Sequence, residues 1–141
     1  MLQLSRSPES KAAALEATRS AALDQINAIT DAARRMFITP IAGQEMIYLN
    51  KAQEAKTYLS LPEEPGDLSS FPFIAGEIGT TGATAKEVAT VFAMRGAAWS
   101  KLGAMMEHLR VEALAAIKEA TKAEAISQTI ADYVEDLGEL S

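Results

Sequence analysis

Apolar residues recur along this chain every three to four positions and almost nowhere alternate one by one. That spacing gathers them on one side of a helix, so the chain is expected to be all-α. Ser7-Pro8-Glu9 suits a helix start. The hydroxyl can accept from a free amide, proline gives up an N–H that has no partner there, and the acid meets the positive end of the helix dipole. Nothing then breaks the helix until about Met36. Read in heptads, Ala12, Arg19, Ile26 and Ala33 share one position, and Leu15, Ala22, Ile29 and Met36 share another. A seam of this kind predicts a coiled-coil-like N-terminal helix over 1–37 that oligomerises or docks a partner. Its interface would comprise Leu15, Arg19, Ala22, Ile26, Ile29, Ala33 and Met36. Arg19 interrupts the seam and has to pair or extend to water. Because alanine is so frequent in it, an amphipathic helix folding back on its own chain remains an equal alternative.

Pro40 and Gly43 end this helix and turn the chain. A second helix is expected from about Gln44 to Leu59. Its inward face would carry Met46, Leu49, Ala52 or Gln53, and Tyr58 or Leu59, leaving Lys51, Glu54 and Lys56 largely wet. "SLPEEPGDLSSFPF" is a loop by its prolines and glycine, with Phe71 and Phe73 returning to the core, and a short helix follows to near Gly79. Thr84-Ala85-Lys86-Glu87 is a capping box that opens the longest helix. Reaching about Ala120, that helix would be ~50 Å long. Its stripe is Val88, Phe92, Trp99, Leu102, Met106, Leu109 and Ala113. Ala89, Gly96 and Gly103 line up along it at heptad spacing, which would let a neighbouring backbone come close, and the alanine-rich first helix is the expected neighbour. A local kink is the competing reason for these glycines. A second capping box, Thr121-Lys122-Ala123-Glu124, opens a last helix buried through Ile126, Ile130, Tyr133, Val134 and Leu137, with Gly138 at its C-terminal cap. The architecture expected is a long-helix bundle or an extended helical hairpin, with residues 38–141 as the helical domain.

Composition narrows the partners. The 141 residues are 48% hydrophobic with few aromatics, enough for one core of closely packed thin helices. There is no cysteine, so disulfide and thiolate chemistry fall away. The net charge is -6, and residues 132–141 hold four acids and no base. Most of such a surface repels a phosphate backbone, so nucleic acid is not an expected partner. No stretch approaches the roughly 20 apolar residues that span a bilayer, and "MLQLSRSPES" lacks the apolar run of a signal peptide, so a chain without membrane contact is expected.

Candidate chemistry is sparse. His108 and Glu112 are spaced as two metal ligands on one helix face, but no further ligand cluster completes a site. A nucleophile system would have to be built on His108 alone, with no G-x-S-x-G turn beside it. "GEIGTTGAT" precedes a helix but lacks the phosphate-loop G-K-[ST] and its leading strand, so Gly76, Gly79 and Gly82 read as a cap and a turn. Tyr48 and Lys51 are three apart rather than the four of a tyrosine–lysine dehydrogenase pair. Met94, Met105 and Met106 suit either a plastic groove or ordinary core filling. No catalytic residue and no cofactor are expected; a small-molecule bundle would need convergent polar groups that cannot be recognised here.

Three groups of residues carry a resemblance over roughly 30–130. They are Arg34-Arg35 before a hydrophobic-Thr turn, Gly43-Gln44-Glu45-Met46-Ile47-Tyr48 leading to Lys51 and Glu54-Ala55, and Phe71-Pro72-Phe73 followed by "TGAT" and a helix containing Met94-Arg95 and Ala98-Trp99. The chain resembles short helical proteins encoded beside tail-fibre genes of tailed bacteriophages and prophages. The resemblance implies a structural or adaptor protein of the tail or tail fibre, a homo-oligomer (trimer or dimer) contacting the fibre protein. Its place would be the virion tail, or the host cytoplasm during assembly. The alternative it implies is a tail-fibre assembly chaperone that is not retained in the virion.

Overall fold

The computed structural model describes residues 6–39 and 41–140. It is an all-α helical bundle with the element order α1 (Pro8–Arg35), α2 (Gln44–Ser60), α3 (Pro72–Glu77), α4 (Ala85–Glu119) and α5 (Ala123–Gly138). No strand occurs among the described residues, only an isolated bridge between Ile78 and Gly82. The helix boundaries follow local chemistry. Ser7 caps α1 by accepting from the Ser10 amide at 3.1 Å, with proline in the first turn. Gly43 precedes α2 at φ +84°, a left-handed conformation that side-chain-bearing residues rarely adopt. Pro40 of the expected turn lies outside the described residues. The Thr84 hydroxyl accepts from the Glu87 amide at 3.2 Å, while the Glu87 carboxylate accepts from Ala83, one residue further back than the usual box. The second box does not form. α5 starts from Lys122 with no side-chain cap, because Thr121 sits one position too early.

The chain divides into two compact units, Met1–Phe37 with Ala104–Ser141, and Ile38–Gly103. This differs from the expected division into 1–37 and 38–141, because α1 finds its core partners at the far end of the sequence. In the first unit α1 packs against α5 and the second part of α4. The core there is Ala22, Ile26, Ala113, Ile117, Ile126 and Tyr133, with Leu15, Leu23, Ile29, Leu109 and Ile130 half-buried around it. Burying each such isoleucine stabilises the fold by about 1.5–3 kcal/mol relative to exposure. Thr30, buried among them, donates to the Ile26 carbonyl at 2.7 Å and accepts from the Tyr133 hydroxyl, so neither polar group is left unpaired. Val134, expected on the inner face of α5, is half exposed, since Tyr133 takes the inward position beside it.

In the second unit α2 packs against α3, over a core of Ala55, Tyr58, Phe71, Ile74, Val88, Ala89 and Phe92. Phe71 returns to this core as expected and meets Tyr58 edge to face, 5.3 Å between ring centres. Burial pushes the Tyr58 hydroxyl above its ordinary pKa, with Glu64 adding to the effect. On the small-residue line of α4, Gly96 receives α2, where the alanine-rich first helix was the expected neighbour: a Cβ on Gly96 would stand 2.8 Å from the Ala52 Cβ. Gly82 is needed for a second close approach, since a Cβ there would lie 2.9 Å from the Val88 amide nitrogen.

Candidate interaction surface

The heptad seam of α1 is largely consumed inside the first unit. Ala22 and Ile26 are fully buried against α4 and α5, and Leu15 and Ile29 pack on the same core. Ala33 is half-buried, and of the seven expected interface residues Met36 alone is exposed, at 80%. Arg19 finds a role the heptad reading could not supply. Its guanidinium donates to the carbonyls of Ile117 at 2.5 Å, Lys118 at 2.9 Å and Ala120 at 3.0 Å, closing the C-terminal end of α4. Those carbonyls have no helical amide of their own to accept from, and a cation is favoured at that end of the dipole. A partner could reach Ala22 and Ile26 only by displacing this packing.

Charge on the same unit is organised by Glu107. It accepts from Arg110 at 2.6 and 2.9 Å and from Arg34 at 3.1 Å, and Arg110 also donates to Asn27 at 3.1 Å. The Arg110 hydrogen bond, with Arg34 assisting, holds the Glu107 carboxyl below its ordinary value against a smaller desolvation effect. His108 and Glu112 form an exposed pair, 3.2 Å apart and facing solvent. Among the described residues no three of His, Asp and Glu come together as a metal-ligand set.

In the second unit α2 is turned from the expected orientation. Ala55 and Tyr58 face inward, and the helix period carries Lys51 and Glu54 in with them. Lys51 Nζ pairs with Glu77 Oε2 at 2.5 Å and stands 5.1 Å over the Phe92 ring. Desolvation pushes the Glu77 carboxyl up. The hydrogen bonds from Lys51 and Thr81, with the charges of Lys51 and Arg95, outweigh it and leave the pKa lowered. Glu54 accepts from the amides of Phe73 at 3.2 Å and Ile74 at 2.9 Å, serving as a distant N-cap for α3. The signal for this role was Pro72 after Phe71, a helix start whose preceding residue has no oxygen to cap it. Tyr48 reaches the Thr39 hydroxyl at 3.4 Å, and this contact is the main cause that lowers its pKa, with Lys51 a smaller one. Lys51 is committed to Glu77, so Tyr48 and Lys51 are two separate structural contacts and not a pair.

Of the expected inner stripe of α2, Ala52 and Tyr58 turn inward, while Met46 and Leu49 are left outside. Met46 is 68% exposed and Leu49 65%, and with Gln53, Lys56 and Ser60 they occupy the side opposite Ala55 and Tyr58. Ile41, just ahead of the helix, is 61% exposed, and Met36 and Phe37 are exposed at the end of α1. Beside the outer face of α2, an open groove of about 500 Å³ runs between Ala52, Lys56 and Leu59 of α2 and Ala93, Gly96 and Ala97 of α4. Its walls are mostly small apolar side chains, a shape for packing and not for orienting a reacting group. Met94, considered for a plastic groove or core filling, is 68% exposed and Met105 43%, whereas Met106 is buried. Among the described residues no helix is long and apolar enough to cross a membrane. No protein-family model, curated protein or solved structure matches the chain.

Proposed function

We propose that this chain is a bacteriophage tail or tail-fibre-associated structural or adaptor protein that works by helix-mediated assembly and catalyses no reaction. One observation supports it most: large apolar side chains stay uncovered side by side at Met36 and Phe37, within the stretch that carries the resemblance to proteins encoded beside tail-fibre genes. Uncovered apolar groups concentrated in one segment mark a place where another protein is met. The fibre protein is the partner this reading assigns. The exposed C-terminal end of the former seam, Met36 with Phe37 beside it, and not its buried middle, is the contact.

Co-expression with a tail-fibre protein of the same genome tests the reading. The wild-type chain co-purifies with the fibre protein, and the double variant Met36→Ser, Phe37→Ser loses at least tenfold in recovery while keeping its helical circular dichroism. Failure of the wild type to co-purify overturns the assignment. Purified particles then separate the two roles. A structural component is present at a stoichiometry matching the fibre, whereas an assembly chaperone raises fibre solubility and is absent from particles.

A further inference from the structure

We infer that the outer face of α2 is a two-fold interface that joins two copies of this chain through antiparallel α2 helices. This deepens the assembly reading by naming a partner and a surface, and it uses residues distinct from Met36 and Phe37.

The argument begins with what the fold leaves uncovered. Met46 and Leu49 are more than half exposed on a helix whose opposite side buries Ala55 and Tyr58, and Gln53 and Lys56 continue their line at spacings of four and three. That is the seam spacing of a helix that meets another helix lengthwise. The inner face has already taken the other charges of the helix centre, Lys51 through Glu77 and Glu54 through the α3 amides. Two charged side chains remain on the exposed line, Glu45 in the first turn and Lys56 three turns later, and both are exposed.

Their signs choose the occupant and its direction. A second copy of α2 laid antiparallel, with Leu49 over Gln53 of the second copy, brings Glu45 within reach of Lys56 of the second copy. The two-fold axis repeats that pair at the other end. Met46 then packs along the apolar stem of the opposing lysine. Parallel pairing would set Glu45 on Glu45 and Lys56 on Lys56, which is repulsive. A surface that is complementary to itself only when reversed is what a closed two-fold interface requires. The groove beside Ala52 and Leu59 gives the approaching helix room where the α4 line is small.

Light scattering and sedimentation of the full chain over a concentration series provide the test. The wild type is a dimer at micromolar concentration and Leu49→Asp is a monomer with unchanged helical circular dichroism. Glu45→Lys alone and Lys56→Glu alone each weaken dimerisation roughly tenfold, since each turns two attractive pairs into repulsive ones. The double variant E45K/K56E restores dimerisation to within about threefold of wild type, because its pairs are opposite again. Restoration by the double swap identifies the antiparallel geometry and does not depend on the Leu49 variant folding. A monomeric wild type, single swaps without effect, or a double swap weaker than either single overturns the interface. If the fibre protein still co-purifies in that case, the proposed function stands and only this surface is wrong. A fibre protein that competes for the α2 face of a monomeric chain likewise overturns the dimer.

Discussion

At the level of single residues, the chain reuses charged side chains as helix ends. Arg19 closes α4 and Glu54 opens α3, and each lies far in sequence from the backbone groups it satisfies. Replacing Arg19 by alanine leaves carbonyls at the end of α4 without their donor. The expected loss is about 1–3 kcal/mol, with less recovered by lysine, whose point charge cannot serve three acceptors in a fork. Urea denaturation of the two variants checks this. Glu77 supplies a pH-dependent part of the stability. Its folded pKa lies below the ordinary 4.5, so the unfolded chain takes up its proton first as pH falls. The contribution is therefore complete above that value and is lost as pH drops through the folded pKa. Thermal melts should show Glu77→Gln less stable than wild type at neutral pH, with the gap closing as the pH falls below 4.5 and through the lowered folded pKa.

At the level of elements, identical residues on α4 have different meanings. A methyl at Gly96 meets Ala52 across the α2–α4 contact, whereas one at Gly103 meets nothing within 4 Å. Gly96→Ala is expected to destabilise by about 1–3 kcal/mol through overpacking. Gly103→Ala should instead stabilise by up to about 1 kcal/mol, as the helix gains a better former at no steric cost. Guanidinium melts of the two single variants, opposite in sign, are the measurement. The heptad line that groups these glycines was legible in the sequence. Which neighbour approached it was not, because spacing describes one helix and says nothing about the helix that arrives. The same limit explains α2. Its periodic stripe was visible, but Ala55 drew the helix round towards Phe71 and Ile74, so that Tyr58 of that stripe was kept inside while Met46 and Leu49 were left out.

For the whole chain, the N-terminal helix cannot be treated as a detachable arm. Helix α1 covers Ile117, Ile126 and Tyr133, so deleting residues 1–36 exposes the core of the first unit. The truncated chain is expected to lose more helical circular dichroism than the removed residues account for and to aggregate, instead of becoming a clean monomer. Unchanged ellipticity per remaining residue would show that α4 and α5 stand without α1. Point variants on exposed residues are thus the proper probe of assembly.

The sequence by itself determined the helices, most of their ends, the capping box at Thr84, the returning Phe71 and the acidic, cysteine-free character of the chain. These are set by neighbours within a few positions, where propensity and capping act directly. Only the tertiary structure decided that Ile26 belongs beside Ile117 and Ile126, that Lys51 and Glu54 point inward, and that Met46 and Leu49 do not. An amphipathic period states that a face will be covered, while the choice of cover depends on which segments distant in the chain can reach it and bury the most.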